Sequence, residues 1–435
     1  MTVSLSLDAS NRVKAEDSSV HNWYRFVLSF PPHLVRHYVH RFGLRAGQVV
    51  LDPFCGTGTT LVECKKLGIN SVGIERNPIA AFASQVKTDW SPDPDSLVAH
   101  AARIAEVATR QLEDDGIAEF SGLPLFGDAP AARAPLRTLP MDAARLLLTG
   151  SISPLPLHKT LVLLEAIRAC ADQSYVRHEL LALAKATVFG VGNVEFGPEV
   201  GVGPPKEDAP VVNLWRDNVW SIAQDIRLTT QGRDVPSLIL QADSRSTPST
   251  LKPGSIDAVI TSPPYPNEKD YTRTTRLESV LLGFIRTKDD LRELKRELVR
   301  SNTRGVYKSD SDDAFVAGHP EIERIADAIE RRRIELGKTS GFERMYPRVT
   351  KLYFGGITRH LSQLRHILRP GAQLAYVVGD QASYLRVMIR TGQLFAGLAT
   401  SLGYQVIGTD LFRTRLATAT REQLREEVLL LRWPG

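Results

Sequence analysis

The chain has 435 residues, of which 43% are apolar and 24% charged, and a net charge of +5. This length predicts two domains, or one domain with large insertions. We expect a cytoplasmic protein without a metal, because the sequence has no run long enough for a membrane span and no signal-peptide core, and its three cysteines form no C-x-x-C pair. The mildly basic charge fits a nucleic-acid partner without establishing one.

The first predicted elements form a βαβ unit within Gln48–Asn77. Val49–Leu51 is a short apolar run typical of a buried parallel strand, and Thr60–Leu67 has helical character. Ser71–Ile74 is a second short strand that is followed by an acid. Strand, glycine turn, helix, strand and acid follow one another as in the first unit of a doubly wound α/β sheet.

Residues 91–234 carry helical signals, so we expect a mainly helical insertion between 1–90 and 235–435. Proline-rich and glycine-rich stretches separate its predicted helices, which are Ser96–Leu112, Lys159–Ala171, Tyr175–Phe189 and Pro210–Leu228. Strand signals resume at Ser237–Gln241 and Ile256–Thr261.

A second excursion at 286–350 is basic and helical. The elements predicted within it and after it are the helices Pro320–Leu336 and Val349–Leu368, the strand Gln373–Val378, the helix Arg386–Leu402, and the strands Gln405–Leu411 and Glu427–Arg432. Without the two excursions, roughly 200 residues of alternating strand and helix remain, which suffices for one α/β domain ending in an antiparallel hairpin.

A glycine turn follows the first strand and reads Asp52-Pro53-Phe54-Cys55-Gly56-Thr57-Gly58-Thr59-Thr60. Its glycines allow positive φ and close approach of a ligand, and the next helix offers free amides to an anionic group. Glu75, nineteen residues beyond Gly56, is placed to bind ribose hydroxyls. Asp243 ends the third strand and is placed to accept a hydrogen bond from an adenine amino group. A lone G-x-G is typical of any tight turn, but these neighbours favour a cofactor site.

The second motif, Thr261-Ser262-Pro263-Pro264-Tyr265, follows a predicted strand. Its prolines lack backbone donors, so their carbonyls are free to accept hydrogen bonds. The Ser262 oxygen and the Pro263 carbonyl can accept both N–H groups of an exocyclic amine, which favours a nitrogen able to attack a methyl group in line. Tyr265 offers a ring on which an extruded base can stack. Outside this context, P-P-Y indicates a proline-rich turn or ligand motif.

Together the two motifs resemble those of the DNA amino-methyltransferases, which modify cytosine N4 or adenine N6. The resemblance covers about half of the chain. It implies a Rossmann-like methyltransferase fold of the α/β class, with a mostly parallel sheet, S-adenosylmethionine as methyl donor, and a flipped base in double-stranded DNA as target. Serine as the first residue of the tetrapeptide is typical of the cytosine-N4 branch, whereas the adenine-N6 branch usually has Asp or Asn. We therefore predict methylation of cytosine N4.

The resemblance also implies site residues. The catalytic ones are Ser262, Pro263, Pro264 and Tyr265, and those for the cofactor are Phe30, Asp52, Pro53, Phe54, Cys55, Gly56, Gly58, Thr59, Thr60, Glu75, Asn77 and Asp243. Predicted DNA contacts lie in the loop beyond the catalytic motif and in a basic run, and are Lys269, Tyr271, Arg273, Arg292, Arg296 and Arg300. A solvated helix face is the alternative interpretation of the basic run.

Three other functions stay open: an adenine-N6 methyltransferase, an RNA guanine-N2 methyltransferase, and a DNA-binding subunit without catalysis. The RNA enzymes share a similar loop and a PPY-type motif, but usually have Asp or Asn before the prolines and an N-terminal RNA-binding module. Either 91–234 or 286–350 is expected to read the DNA sequence. A separately encoded restriction enzyme is a possible partner.

Overall fold

A seven-stranded sheet forms the centre of the fold, and helices pack against both of its faces. The computed structural model describes residues 14–26, 29–119, 135–197, 199–229, 232–266, 270–382, 384–416 and 422–435. Its strands are β1 (Val49–Asp52), β2 (Asn70–Ile74), β3 (Val194–Phe196), β4 (Val200–Val202), β5 (Ser237–Leu240), β6 (Ile256–Thr261), β7 (Leu368–Gly379), β8 (Gln405–Leu416) and β9 (Gln423–Arg432).

The order of strands in the large sheet is β5-β2-β1-β6-β7-β9-β8. The first five of these strands are parallel, and β9 is antiparallel to both β7 and β8. From β1 the chain continues to β2 and β5 on one side of the sheet. From β6 it continues to β7 on the other side, so the strand order reverses between β1 and β6. The carboxyl ends of strands at such a reversal form a crevice that binds ligands in open α/β sheets. The predicted fold class is confirmed, including the terminal antiparallel hairpin.

The described residues contain fourteen α-helices. They are α1 (Pro32–Arg41), α2 (Thr59–Lys66), α3 (Pro78–Lys87), α4 (Pro94–Asp114), α5 (Met141–Ala144), α6 (Pro154–Ala169), α7 (Val176–Ala186), α8 (Val211–Leu228), α9 (Tyr271–Thr274), α10 (Arg276–Leu281), α11 (Lys288–Arg296), α12 (Pro320–Glu335), α13 (Gly341–Leu364) and α14 (Thr391–Ser401). Proline occupies the first turn of α1, α3, α4, α6 and α12, where its fixed φ suits a helix and its missing N–H costs nothing.

Side chains alternate between the two faces of the sheet, and both faces are buried. Val50, Ala258 and Ala375 pack against α1, whereas Leu51 and Val259 belong to the core formed with α13 and α14. Burial on both faces explains why these strands read as continuous apolar runs. Among the described residues, no helix combines the length and apolarity required to cross a membrane.

The described part of 91–234 is mainly helical. Helices α4, α6, α7 and α8 share one apolar core with side chains of α2 and α3. This region also contains the small antiparallel pair β3–β4, which its sequence pattern did not predict. The division of the chain into 1–90, 91–234 and 235–435 stays a prediction.

Several predicted helix boundaries were wrong. The helix expected at Lys159–Ala171, for example, begins at Pro154. The helix expected at Val349–Leu368 begins earlier, at Gly341, where Ser340 caps it, and ends at Leu364, because residue 368 already belongs to β7. The helix expected at Arg386–Leu402 begins only at Thr391. Leu385 and Arg386 have positive φ angles of 54° and 67°, which no right-handed helix allows.

Candidate active site

A cavity of about 600 Å³ opens at the carboxyl ends of β1, β2 and β6. Residues of the glycine turn line one side of it, and Ser262 to Tyr265 line another. This volume lies within the range of small-molecule and cofactor sites. The fold therefore joins two motifs that are about 200 residues apart in the sequence.

The glycine turn is held in a left-handed conformation. Gly56 has a φ of 52° and Gly58 a φ of 82°, and Gly58 caps the N-terminus of α2. A Cβ atom on Gly58 would lie 3.0 Å from Ser84 Oγ, whereas one on Gly56 would meet only the Phe26 ring, at 3.9 Å. Glycine is thus required at position 58 both by the positive φ and by the lack of room for a Cβ atom. At position 56 it is required by the positive φ, and it leaves the cavity accessible.

Asp52 lies beneath the cavity and joins the two motifs. Its carboxylate accepts hydrogen bonds from Thr60 Oγ1 and Thr261 Oγ1, both at 2.6 Å, and from the Phe54 amide at 3.1 Å. Burial raises the pKa of this carboxyl to about 6, although the hydrogen bonds oppose the shift. Asp52 does not line the cavity, so the structure gives it a supporting position between α2 and β6.

Glu75 faces the cavity directly beyond β2. One carboxylate oxygen accepts from the Gly56 amide at 2.9 Å and the other from the Asn77 amide at 2.7 Å. Burial is the largest influence and raises the pKa of Glu75 to about 7. Each oxygen keeps a lone pair for a further donor.

Two buried oxygens in the cavity wall lack a hydrogen-bond partner among the described residues, Thr57 Oγ1 and Asn77 Oδ1. The side-chain amide nitrogen of Asn77 already has a partner, since it donates to Thr275 Oγ1 at 3.1 Å. Buried polar atoms are rarely left unpaired in folded proteins. These two oxygens, the Glu75 carboxylate and the glycine turn suit a polar, nucleoside-containing ligand.

The tetrapeptide from Ser262 to Tyr265 lies on the cavity wall beyond β6. Ser262 Oγ donates to the Val377 carbonyl at 3.4 Å, which leaves the oxygen lone pairs of this hydroxyl to accept hydrogen bonds. The Tyr265 hydroxyl donates to Glu426 Oε1 at 3.0 Å. A Cβ atom on Gly379 would lie 2.8 Å from the Tyr265 ring, so this glycine makes the space that the ring occupies.

The other predicted cofactor residues fall into two groups. Those that line the cavity are Phe30, Pro53, Phe54, Cys55, Thr59 and Asn77. Those outside its lining are Gly58, Thr60 and Asp243. The Asp243 carboxylate accepts from the Arg245 guanidinium at 2.8 Å, and its neighbours Ala242 and Ser244 face the cavity instead.

The predicted DNA contacts are dispersed. Tyr271 lines the cavity, whereas Arg273 lies in α9 and donates to the Val200 carbonyl at 3.4 Å. Arg300 is buried and forms a two-point ion pair with Asp310, at 2.7 and 2.8 Å. Lys269 lies outside the described residues.

The two remaining predicted contacts, Arg292 and Arg296, are exposed on α11. Arg292 pairs with Asp289 at 2.8 Å, and the Arg296 guanidinium lies 5.5 Å from the centre of the Tyr307 ring. Ion pairs and ring contacts thus occupy much of the basic run.

Sequence reasoning missed Gly73, Gly379 and Glu426. A Cβ atom on Gly73 would lie 2.7 Å from Cys55 Sγ, so Gly73 lets the glycine turn lie against β2. Glycines within or at the end of apolar strands are the signal that could have identified Gly73 and Gly379. Glu426 carries no comparable signal, because its role depends on the register between β8 and β9.

Within the described residues, no three His, Cys, Asp or Glu side chains are grouped so as to hold a metal ion. His33, His37 and His40 lie on α1. The His33 ring is 6.3 Å from the Phe412 ring, and the His37 ring is 4.9 Å from the Tyr38 ring.

The strand order, a glycine turn after the first strand of the sheet and Ser-Pro-Pro-Tyr after the fourth define a Rossmann-like methyltransferase domain. A family model described as DNA methylase matches residues 8–84. The type II methyltransferase M.BsoBI of Geobacillus stearothermophilus is 26% identical over 440 residues, which cover 94% of this chain and 83% of that protein. Both matches support the DNA amino-methyltransferase family.

Two further relatives differ in coverage. The type II methyltransferase M.AvaI of Anabaena variabilis is 21% identical over 452 residues, which cover 95% of this chain and 86% of that protein. A tRNA (guanine(10)-N2)-dimethyltransferase of Methanothermobacter thermautotrophicus is 45% identical, but over 47 residues that cover only 11% of this chain and 14% of that protein.

Proposed function

We propose that this protein is a type II DNA methyltransferase that transfers a methyl group from S-adenosylmethionine to N4 of a flipped cytosine in double-stranded DNA. The observation that carries the proposal is that Ser262 to Tyr265 face the same cavity as the glycine turn. Two full-length relatives named type II methyltransferases support the class. A separately encoded restriction enzyme as partner and a cytoplasmic location are part of the same proposal.

The cavity fits the proposed cofactor. The amides at the start of α2 and the Thr57 hydroxyl would hold its carboxylate end, and Glu75 would accept hydrogen bonds from its ribose hydroxyls. Phe30 and Phe54 supply apolar surface. When bound, S-adenosylmethionine supplies a methyl group on a positively charged sulfur.

The tetrapeptide would position the target amine. Its lone pair is delocalised into the base ring, so the free amine is a weak nucleophile. Ser262 Oγ and the Pro263 carbonyl would accept hydrogen bonds from its two N–H groups and thereby favour a pyramidal, more nucleophilic nitrogen. The methyl group would pass from sulfur to this nitrogen, and the methylated amine would lose one proton to water. This catalysis consists of positioning and electrostatics, without a covalent enzyme intermediate.

Tyr265 would hold the flipped base by stacking. Its ring is fixed on one side by Gly379, and its hydroxyl is held by Glu426. Glu426 in turn accepts from Arg413 Nε at 2.5 Å. The ring therefore has a defined orientation before a base arrives, which lowers the entropic cost of binding.

The target base is assigned to cytosine because Ser262 stands where the adenine-N6 branch usually has Asp or Asn. The test is to incubate the protein with S-adenosylmethionine and either mixed-sequence duplex DNA or transfer RNA, and to analyse the digested nucleosides by mass spectrometry. We expect N4-methylcytosine in the DNA alone. N6-methyladenine would overturn the base assignment, and methylguanosine in the RNA alone would overturn the DNA assignment, as the tRNA methyltransferase likeness would then suggest.

A further inference from the structure

We propose that a basic surface beside Tyr265 binds the phosphate backbone of the DNA duplex. The surface comprises the turn 384–390 and the two described strands of the β8–β9 hairpin, and we call it the arginine rim after its residues Arg386, Arg390, Arg413, Arg415 and Arg425. The inference rests on the proposed function, because duplex DNA is the substrate proposed above. It assigns DNA contacts to a part of the chain outside both excursions.

The arginine rim is continuous with the catalytic wall of the cavity. Arg413, Arg415 and Glu426 line the cavity beside Tyr265. In the hairpin, Arg413 is paired with Glu426 and Arg415 with Leu424 across β8 and β9. A duplex that delivers a base to Tyr265 must pass over these residues, since an extruded base stays attached to its backbone.

Hydrogen bonds of residues 380–390 connect the turn 384–390 to the same hairpin. The Asp380 amide donates to the Arg425 carbonyl at 2.8 Å, and Gln381 and Ile389 form an isolated antiparallel bridge. Arg390 Nη1 also donates to the Gln423 carbonyl at 3.3 Å. The turn and the hairpin thus form one surface.

Two of the five arginines have guanidinium groups that pair with no carboxylate of the described residues. Arg390, Arg413 and Arg425 pair with Asp380, Glu426 and Glu427 at 2.6, 2.5 and 3.0 Å. Arg386 and Arg415 are exposed, and neither forms an ion pair with a described residue. Unpaired guanidinium groups bind phosphate oxygens well, often through two hydrogen bonds.

The backbone conformation that exposes Arg386 is strained. Tyr384 is buried, with its ring 4.7 Å from that of Tyr346, and Ile389 is fully buried, so both ends of the turn are anchored. Between them Leu385 and Arg386 adopt positive φ, which costs about 1–2 kcal/mol for each non-glycine residue. Such strain persists only where the surrounding structure imposes it, and it is concentrated at functional sites.

The distribution of charge favours this surface over the helical insertion. Residues 351–435 contain eleven Lys and Arg against five Asp and Glu, whereas 91–234 contains thirteen against nineteen. A phosphate backbone is attracted to the first region and repelled by the second. On α11, Lys295 pairs with Asp270 at 3.0 Å, so part of the basic excursion is already neutralised.

The test is the salt dependence of duplex DNA binding, measured by fluorescence anisotropy with the full-length protein. Each phosphate contact contributes about 0.9 to the slope of log affinity against log salt concentration. We expect the double variant R386Q/R415Q to lower that slope by up to about 1.8. The variant R386K/R415K keeps the charges and should keep most of the slope.

Arg324→Ala is the matched control, because Arg324 is an exposed arginine on α12 outside the cavity. Melting temperature should match the wild type in every variant, and S-adenosylmethionine affinity should match it in Arg324→Ala. A wild-type slope in R386Q/R415Q would overturn the arginine rim, even if the protein methylates DNA. A wild-type protein that neither binds nor methylates duplex DNA would instead overturn the proposed function, and the inference with it.

Discussion

At the scale of single residues, the geometry separates groups that face the ligand from groups that support them. Sequence motifs predicted both Asp52 and Glu75 as cofactor residues, but only Glu75 lines the cavity. The distinction could not be predicted, because both acids follow apolar strands and differ only in which neighbours surround them. Three hydrogen bonds hold Asp52 in the floor, and two backbone amides orient Glu75 toward the cavity.

The raised pKa of Glu75 predicts a pH dependence of cofactor binding. Its carboxyl has a pKa of about 7, so it is ionised above this pH and increasingly protonated below it. The ionised form accepts ribose hydroxyls better, so S-adenosylmethionine affinity should fall as the pH drops below 7, by up to about tenfold per pH unit.

Isothermal titration calorimetry between pH 5.5 and 8.5 would measure this dependence. Glu75→Gln should bind more weakly at high pH and lose the decline below pH 7. Glu106→Gln, at an exposed position on α4, is the matched control and should keep the wild-type profile. A wild-type profile in Glu75→Gln would mean that another group titrates.

Two substitutions of Tyr265 should lower the rate of DNA methylation to different degrees. Tyr265→Phe keeps the ring and loses the hydrogen bond to Glu426, so kcat/KM for DNA methylation should fall by no more than about tenfold. Tyr265→Ala also loses the stacking surface, which is worth about 1–3 kcal/mol per base, so its loss should reach roughly 100-fold. Equal losses in the two variants would show that the ring does not stack on the base.

At the scale of secondary structure, the apolar runs predicted the central strands well because both faces of the sheet are buried. The region after β7 was predicted worst. Its residues 386–390 fit a helical pattern, but the Gln381–Ile389 bridge and the buried Tyr384 hold them outside a helix, and Arg386 has positive φ. No local pattern of side chains encodes such a long-range constraint.

A substitution at the end of β7 should impair catalysis without weakening the binding of the cofactor. Gly379→Ala would place a Cβ atom 2.8 Å from the Tyr265 ring and displace it, so kcat/KM should fall at least tenfold while S-adenosylmethionine affinity stays unchanged. Gly397→Ala on α14 is the control, because no atom lies within 4 Å of its new Cβ. Normal catalysis by Gly379→Ala would show that the position of the Tyr265 ring is not critical.

At the scale of the whole molecule, the sheet joins two motifs from distant parts of the sequence in one cavity. The motifs allowed this site to be predicted, because carboxyl ends of neighbouring parallel strands meet at one edge. The proposed DNA-binding surface was far less predictable. The basic run at α11 is partly neutralised by ion pairs. Arg386 and Arg415, which form no ion pair with a described residue, belong to segments without a notable charge run.

The central claim is that the tetrapeptide acts on the target amine within the cofactor cavity. Single-turnover methyl transfer with Ser262→Ala, saturated with S-adenosylmethionine and duplex DNA, tests it most directly. Loss of an acceptor that acts in the transition state should slow the transfer by about 100-fold or more, while both binding affinities stay within about twofold of the wild type. A Ser262→Ala protein that transfers the methyl group at the wild-type rate would contradict the claim.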